Sequence, residues 1–338
     1  MHKNNQTKIL VTGGAGYIGS VTTKALQDQG FSVLVLDNLS TGFMSSISCP
    51  LIVGDVADTN LLDKIFTEHE IEAVIHFAAS SLVEESVFFP GRYFMNNVAA
   101  GIALLNAMAR HNVKKIVFSS SAAVYGEPQN VPIAETAALK PTNPYGESKL
   151  IFEQMLLWYY GAHEISSVSL RYFNAAGASL NQTLGDRREQ PTHLIPRVLK
   201  VAAKKTDCLE VYGHDYPTFD GTAVRDYIHV EDLAAAHILA LKKLEEDSGR
   251  FAYNVGTGLG HSVMEVVERA LEITGKMIVV KYGPRRPGDP AALFADVSKI
   301  KAELGFNPVY SDLDIIIKSA WDWYCSLWYN KIHVSRNT

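Results

Sequence analysis

The chain has 338 residues, 47% of them hydrophobic and 20% charged, a globular composition that allows two domains or one large domain with an appended lobe. A net charge of -5 excludes the basic footprint of a nucleic-acid-binding protein, so an anionic ligand would be held by a local set of donors. The three cysteines are scattered, which predicts neither a disulfide framework nor a metal site. The sequence has no apolar leader and no uncharged apolar run of the roughly 18 residues that a membrane span needs. We therefore predict a cytoplasmic protein without a membrane partner.

Short β-rich segments alternate with helical patterns through the first half of the chain. The predicted strands are Ile9–Thr12, Val33–Asp37, Leu51–Val53, Ala73–Ala78, Ile116–Ser120 and Val168–Asn174. The predicted helices are Thr22–Gln29, Leu61–His69, Val98–His111 and one that begins near Pro144. Near-continuous apolar strands separated by helices are typical of a parallel sheet with helices on both faces. We therefore predict an α/β fold, a Rossmann-type doubly wound parallel sheet with a smaller α/β lobe.

The pattern changes after Gly177, where polar and turn-rich segments become frequent. The predicted loops are Asn181–Pro191, His214–Thr222 and Tyr282–Pro290. The predicted helices are Leu194–Lys204, Val230–Leu244 and Ser262–Thr274, and Phe251–Val255 is a predicted strand. We predict a large domain of residues 1–176 plus about 223–258, and a smaller lobe of about 177–222 plus 259–338.

A glycine-rich segment follows the first predicted strand directly. Gly13-Gly14-Ala15-Gly16-Tyr17-Ile18-Gly19 has the spacing G-x-x-G-x-x-G, one residue wider than the usual dinucleotide fingerprint. Such a turn lets the backbone approach a pyrophosphate, whose charge meets the N–H groups at a helix start. Alone, the segment also fits an ordinary tight turn.

An acidic residue, Asp37, ends the next predicted strand, near the position of the ribose-binding acid in dinucleotide folds. A carboxylate there accepts hydrogen bonds from the adenosine ribose and repels a 2′-phosphate. No Arg or Lys occurs from Asn38 to Pro50, so NAD is favoured over NADP. Gly54-Asp55-Val56, after the third strand, either contacts the adenine or forms an ordinary turn.

A second group of candidate residues follows the strand that ends in Ser119-Ser120-Ser121, at the edge where parallel sheets bind ligands. Pro144 is placed to begin a helix, so Tyr145 and Lys149, four residues apart, share one helix face. The ordinary pKa of a tyrosine, ~10, is too high for a base at pH 7, but an ammonium and a nicotinamide cation favour the phenolate. Ser121 would orient the substrate hydroxyl. A Tyr-x-x-x-Lys pair alone also fits aromatic packing beside a solvated lysine.

Together these motifs resemble those of the extended short-chain dehydrogenase/reductases. Three further segments narrow the resemblance to the UDP-glucose 4-epimerases, and the similarity runs nearly the whole length. They are Asp215–Val230, Arg171–Asn174 and Tyr253–Gly256. The resemblance implies NAD-dependent 4-epimerisation of a UDP-hexose, UDP-glucose or UDP-galactose, through a transient 4-keto intermediate. It also implies a homodimer formed by the helices Val98–His111 and Ile151–Tyr160.

The resemblance also implies which residues form the sites. The catalytic residues would be Tyr145, Lys149 and Ser121. The NAD site would comprise Gly13, Gly16, Tyr17, Ile18, Gly19, Asp37, Asn38, Asp55, Val56, Phe77, Ala78, Asn96, Ser119, Tyr145, Lys149 and Tyr172. The UDP-sugar site would comprise Ser121, Tyr145, Phe173, Asn174, His193, Leu194, Tyr212, Arg225, Arg286, Asp289 and Leu293. Guanidinium groups bind phosphate oxygens bidentately, so Arg225 and Arg286 would hold the diphosphate, although an exposed surface arginine is the alternative for Arg286.

Three positions depart from the family pattern. Ser81 stands where many relatives have a lysine, and His193 where the family has an asparagine. Leu293 stands where some relatives have a tyrosine and others a smaller residue at the wall of the sugar pocket. Leucine is smaller than tyrosine, so a UDP-N-acetylhexosamine or UDP-pentose 4-epimerase stays open as an alternative.

Two more distant alternatives are weaker. A nucleotide-sugar 4,6-dehydratase needs an extra acid pair, but Ala122-Ala123 stand where such dehydratases carry Asp-Glu. An NAD-binding regulatory protein has no use for an activated phenol, so the intact set of Ser121, Tyr145 and Lys149 disfavours it.

Overall fold

The structure, a computed structural model, describes residues 8–286 and 289–334. Its strands are β1 (Lys8–Thr12), β2 (Ser32–Asp37), β3 (Leu51–Val53), β4 (Ile71–His76), β5 (Lys115–Ser119), β6 (Ser166–Tyr172), β7 (Asn174–Ala176), β8 (Leu209–Tyr212), β9 (Val224–Arg225), β10 (Tyr227–His229), β11 (Arg250–Val255), β12 (His261–Ser262), β13 (Val280–Gly283) and β14 (Ala292–Leu293). Its helices are α1 (Tyr17–Asp28), α2 (Thr59–Glu68), α3 (Val83–Phe88), α4 (Pro90–Tyr93), α5 (Ala100–Arg110), α6 (Pro144–His163), α7 (Leu194–Ala202), α8 (Val230–Glu246), α9 (Val263–Thr274), α10 (Ser298–Leu304) and α11 (Leu313–Val334).

Seven strands form one parallel sheet in the order β11-β6-β5-β4-β1-β2-β3. The chain moves outward from β1 in one direction through β2 and β3, and in the other through β4, β5 and β6. The order therefore reverses beside β1, and the carboxyl ends of β1 and β4 frame the crevice where such sheets bind ligands. The predicted doubly wound parallel sheet is confirmed.

Alternate side chains of the buried strands supply two apolar cores, one on each face of the sheet. Ile9 and Val11 of β1 pack in the cluster that includes Leu233 of α8. Leu10, between them in sequence, packs on the opposite face in the cluster that includes Leu104 of α5 and Phe152 of α6. Both faces are covered, which explains why these strands are continuous apolar runs.

Smaller sheets and helices form the second lobe. Strand β9 lies between β12 and β14, β7 pairs with β10, and β8 pairs with β13. Helices α7, α9 and α11 enclose a third apolar core that contains Val198, Val266 and Ile316. Among the described residues, no helix is long and apolar enough to span a membrane.

Several predicted element boundaries were wrong: the helix predicted as Thr22–Gln29 begins at Tyr17, the strand predicted as Val168–Asn174 ends at Tyr172, and the predicted loop Tyr282–Pro290 begins within β13. Two further differences bear on the site. The strand predicted as Ala73–Ala78 ends at His76, because the backbone N–H groups of Phe77 and Ala78 both donate to the Thr12 carbonyl oxygen and turn the chain. The helix predicted from Val98 is continuous with a preceding π-helical turn, Phe94–Ala99, and helical residues begin at Val83. Pro90 and the exposed Phe88 and Phe89 break the amphipathic pattern there, which hides the helices from periodicity.

Candidate active site

The carboxyl ends of the parallel strands open into a cleft of about 720 Å³. One wall comes from the glycine-rich segment and the ends of β2, β4 and β5, and the other from loops of the second lobe. The topology of the sheet thus brings together residues that are more than 250 positions apart in sequence, such as Gly13 and Leu293.

Most of the predicted site residues line this cleft. They are Gly13, Gly16, Tyr17, Ile18, Gly19, Asp37, Asn38, Asp55, Val56, Phe77, Ala78, Asn96, Ser119, Ser121, Tyr145, Lys149, Tyr172, Phe173, Asn174, His193, Arg225, Asp289 and Leu293. Three predicted substrate residues, Leu194, Tyr212 and Arg286, lie outside this lining. Arg286 is exposed, with its guanidinium 4.0 Å from the centre of the Tyr212 ring.

The glycine-rich segment forms a close-fitting cradle at one end of the cleft. Gly13 has a φ of 71°, and a Cβ there would lie 2.5 Å from the backbone nitrogen of Ala78. A Cβ at Gly19 would collide with the Gly13 carbonyl oxygen. Gly16 caps α1 without a side chain, so the first-turn N–H groups keep their capacity for an external acceptor. The backbone is therefore shaped for a pyrophosphate.

Asp37 lies at the same end of the cleft, buried at the end of β2. Its two carboxylate oxygens accept hydrogen bonds from the backbone N–H groups of Ala15 at 2.9 Å and Leu39 at 2.8 Å. A carboxylate has about four acceptor sites, so both oxygens retain capacity for ribose hydroxyls. Nearby, the Asn38 side chain donates to Asp55 at 2.8 Å, and both residues line the cleft. These acceptor oxygens fit the ribose hydroxyls of NAD.

The candidate catalytic residues meet where β5 ends and α6 begins. Asn143 caps α6 by accepting from the Gly146 N–H at 2.9 Å, and Pro144 occupies the first helical turn. The helix therefore begins one residue before Tyr145, which places Tyr145 and Lys149 one turn apart. Lys149 is buried, and its Nζ donates to the Ser119 carbonyl oxygen at 2.7 Å and lies 5.8 Å from the centre of the Tyr145 ring.

Burial opposes the charged form of both groups. It raises the pKa of the Tyr145 phenol above its ordinary value, while a hydrogen bond with Ser121 acts in the opposite direction. It lowers the pKa of Lys149 to about 7, against the attraction of the nearby Glu153 carboxylate. For Tyr145, burial outweighs the hydrogen bond with Ser121, so the pKa of the phenol stays above its ordinary value. A positive charge beside the phenol, from Lys149 or from a nicotinamide, favours the phenolate, and this role stays a prediction from the residue pattern.

Buried polar residues that the sequence analysis missed support this constellation. The side chain of Asn97 in the π-helical turn donates to the Ser148 hydroxyl at 2.9 Å and to the Ser80 carbonyl oxygen at 3.0 Å. It also accepts from the Ser80 N–H at 2.8 Å. Asn97 thus connects the cleft-lining Ser80 to the residue that precedes Lys149. A buried asparagine inside a helical pattern has no distinguishing spacing, so no sequence signal identified it.

A buried ion pair lies one turn further along α6. Glu153 accepts from the Arg171 guanidinium, with contacts of 3.0 and 2.5 Å, and from the Ser120 hydroxyl at 2.5 Å. Arg171 also donates to the Tyr125 hydroxyl at 3.0 Å. The pair joins β6 and α6 beneath the serine-rich strand end and fixes the position of the candidate catalytic residues. In the sequence, Arg171 stands out only as part of the family motif Arg171–Asn174, and its ion pair with Glu153 was not predicted.

The other end of the cleft carries cations and amides from the smaller sheets and from the N-terminus of α7. Arg225 forms an ion pair with Asp289, and the Asn174 side chain donates to the Asp226 carbonyl oxygen at 2.9 Å. His193 lies at the N-cap of α7, and its Nδ1 is buried without a hydrogen-bond partner in the part of the chain that the structure describes. Burial and the nearby Arg188 lower the pKa of His193 to about 4, so its imidazole is neutral at pH 7.

Comparison with known proteins agrees with this geometry. The family model described as "NAD dependent epimerase/dehydratase family" matches residues 9–256. A UDP-glucose 4-epimerase of Halalkalibacterium halodurans is 50% identical over 94% of this chain and 95% of its own. One of Bacillus subtilis is 45% identical over 94% of this chain and 97% of its own.

Solved structures match over the same extent. The UDP-glucose 4-epimerase of Brucella ovis in complex with NAD superposes with a TM-score of 0.91 at 48% identity, covering 94% of this chain and 98% of that one. The UDP-Glc/GlcNAc 4-epimerase of Campylobacter jejuni superposes with a TM-score of 0.84 at 42% identity, covering 95% of this chain and 99% of that one.

Proposed function

The chain belongs to the NAD dependent epimerase/dehydratase family and, within it, to the UDP-glucose 4-epimerases, and we propose that its cleft catalyses NAD-dependent 4-epimerisation of a UDP-hexose with Tyr145 as the acid–base residue. The observation that carries this proposal is the convergence of Tyr145, Lys149 and Ser121 on one cleft with the glycine-rich cradle and Asp37. The substrates are UDP-glucose and UDP-galactose.

The cofactor site is built from the chain's own backbone and side chains. The glycine-rich cradle and the first turn of α1 hold the pyrophosphate, Asp37 holds the adenosine ribose, and Lys149 holds the nicotinamide ribose. When bound, NAD supplies a reversible hydride acceptor for the sugar C4.

Tyr145 moves the proton of the reaction. Its phenolate oxygen accepts the proton of the sugar 4-hydroxyl, which Ser121 orients, and a transient 4-keto sugar results. After the sugar has turned over, the phenol returns the proton to the 4-oxygen, now in the opposite configuration. The charge of Lys149 stabilises the phenolate during each passage. No proton is gained or lost over the cycle, so Tyr145 is regenerated.

The substrate end of the cleft holds the nucleotide more firmly than the sugar. The uridine diphosphate is bound by Arg225 and Asn174, together with His193 at the N-terminus of α7. Arg286 and Tyr212, although outside the described lining, belong to the same ligand set by family resemblance. Phe173 and Leu293 give the sugar an apolar wall without directed hydrogen bonds, and this allows the keto sugar to rotate.

The residue at position 293 supports a second substrate class. Leu293 lines the cleft, and a structural neighbour is a UDP-Glc/GlcNAc 4-epimerase. A UDP-N-acetylhexosamine or UDP-pentose thus stays an alternative substrate. Ala122 and Ala123 also line the cleft and present only methyl groups, so the acid pair that a 4,6-dehydratase requires is missing there.

The deciding experiment incubates the purified protein with UDP-galactose, and in parallel with UDP-N-acetylgalactosamine, without added NAD. Formation of UDP-glucose is expected, because the cofactor stays bound and is regenerated in each cycle. Absence of any conversion after NAD has also been supplied would contradict the proposal. Stoichiometric NADH release with a UDP-sugar would indicate a dehydrogenase.

The assembly and domain division are further parts of the proposal. Exposed apolar side chains on the predicted dimer helices, Leu157 and Trp158 on α6 and Ile102 on α5, support a homodimer through this face. The pairing of β11 with β6 supports the assignment of about 223–258 to the NAD-binding domain of residues 1–176. The shared core of α7, α9 and α11 supports a UDP-sugar domain of about 177–222 plus 259–338, although Val297, Ile300 and Phe306 pack in the core of the large sheet. The outer limits, 1 and 338, lie outside the described residues. A cytoplasmic location stays a prediction.

A further inference from the structure

Arg187, in the segment between β7 and α7, lies between two aromatic rings from distant parts of the chain. Its guanidinium carbon is 5.3 Å from the centre of the Phe43 ring and 5.4 Å from the Trp323 ring. One guanidinium nitrogen donates to the Ser45 hydroxyl at 2.8 Å. Phe43 and Ser45 follow β2 in the large domain, whereas Trp323 belongs to α11 of the second lobe. Arg187 therefore links the two parts of the molecule.

The segment that carries Arg187 is firmly anchored in the second lobe. The buried Trp323 donates through its indole N–H to the Asp186 carbonyl oxygen at 2.9 Å. Gly185 makes room for that ring, because a Cβ there would lie 2.5 Å from the indole nitrogen. The Asp186 carboxylate is buried and pairs with Arg188. Contacts within the second lobe thus set the backbone position of Arg187 independently of its contact with Phe43.

On the other side, Arg187 contacts the segment Asn38–Ser46, which lies against the glycine-rich cradle. The Phe43 N–H donates to the Ala15 carbonyl oxygen at 3.0 Å. Gly42 packs on the same residue, since a Cβ there would lie 2.9 Å from the Ala15 carbonyl carbon. Phe43 and Arg187 both line the cleft, at the end that also contains Asp37.

We propose that Arg187 is a positioning residue for the cofactor: it fastens the segment Asn38–Ser46 to the second lobe and so slows the release of NAD. The dinucleotide end of the cleft is bounded by this segment and by Arg187, so a bound dinucleotide leaves only after the Phe43–Arg187 contact opens. The Nε of Arg187 is buried without a hydrogen-bond partner among the described residues, which leaves one further N–H for a ligand in the cleft. The inference rests on the proposed function, in which NAD is retained between turnovers.

The contact depends on charge as well as on packing. A guanidinium over an aromatic face is attracted by the ring quadrupole, and its planar shape allows stacking on both sides while its nitrogens hydrogen-bond. Leucine at position 187 would keep apolar contact with both rings but lose the attraction and the bond to Ser45. Lysine would keep the charge and lose the stacking plane.

The test measures release of radiolabelled NAD from the holoenzyme into excess unlabelled NAD. Arg187→Leu and Phe43→Ala are each expected to release NAD about tenfold faster than the natural protein, which corresponds to about 1.4 kcal/mol. Arg187→Lys is expected to restore part of the retention.

A double variant and a matched control distinguish loss of the Phe43–Arg187 contact from general destabilisation of the protein. Arg187→Leu combined with Phe43→Ala should release NAD no faster than either single variant, because both remove the same contact. Arg269→Leu, which removes a guanidinium paired with Asp314 in the second lobe outside the cleft lining, should leave the release rate unchanged. An unchanged release rate in Arg187→Leu, or fully additive effects in the double variant, would overturn the inference. A natural protein that retained no NAD would instead refute the proposed function.

Discussion

The Lys149 ammonium points at the ring of Tyr145 from 5.8 Å while its Nζ is fixed by the Ser119 carbonyl oxygen at 2.7 Å. The strand end that precedes Ser121 therefore also holds the cation that, in the proposed mechanism, assists the phenol. This single hydrogen bond connects the geometry of the sheet to the electrostatics of the base. Because Lys149 contacts both the Ser119 carbonyl oxygen and the Tyr145 ring, the two residues lie one turn apart in a helix that begins beside β5.

Removing the phenol hydroxyl should abolish proton transfer. Tyr145→Phe keeps the ring and its packing, so turnover of UDP-galactose should fall by roughly 10²–10⁴-fold. The measurement is the rate of UDP-glucose formation, with bound NAD and circular dichroism as controls for an intact site. Turnover near that of the natural protein would remove Tyr145 from the mechanism.

Removing the ammonium should shift the pH dependence upward. Burial already raises the pKa of Tyr145, and loss of the Lys149 charge raises it further, so less phenolate is present at pH 7. For Lys149→Met, we expect kcat/KM to be lost at neutral pH and to recover partly as pH rises above that of the natural enzyme. Lys149→Arg, which keeps the charge, is the matched control. A profile of Lys149→Met displaced to lower pH would contradict the assignment.

Narrowing the sugar pocket should separate the two substrate classes. Leu293→Tyr adds bulk at a position that lines the cleft, and overpacking of this kind typically costs about 1–3 kcal/mol. Activity on UDP-N-acetylgalactosamine should therefore fall at least ~10-fold, while activity on UDP-galactose changes little. Leu293→Met, similar in volume to leucine, is the control. Equal losses on both substrates would show that position 293 does not select the C2 substituent.

Placing a charge on the proposed dimer face should prevent association. The Trp158 side chain is 74% exposed in the single chain, beside other exposed apolar residues of α5 and α6. Trp158→Glu should convert a dimer to a monomer in analytical ultracentrifugation, because an interface rarely tolerates an unpaired buried charge. Phe219→Glu replaces an even more exposed aromatic residue on a second-lobe loop and should leave the assembly unchanged. A Trp158→Glu dimer would place the interface elsewhere.

The sequence predicted the large sheet well because its strands are buried on both faces. Apolar runs such as Ile9–Thr12 and Val33–Asp37 carry that burial in their composition. It predicted less of the second lobe, where β9, β12 and β14 are two-residue strands. Such short strands depend on pairing with distant segments and have no periodicity of their own.

Local spacing by itself determined the cradle at Gly13–Gly19, the acid Asp37 and the helix-turn relation of Tyr145 to Lys149, because each depends on residues that are near in sequence. The tertiary structure alone decided that Arg187 reaches Phe43. No Arg or Lys occurs in sequence from Asn38 to Pro50, yet folding brings Arg187 there from the second lobe. Burial likewise set the charge preferences of Tyr145 and Lys149, since desolvation depends on the whole surrounding fold and not on the motif.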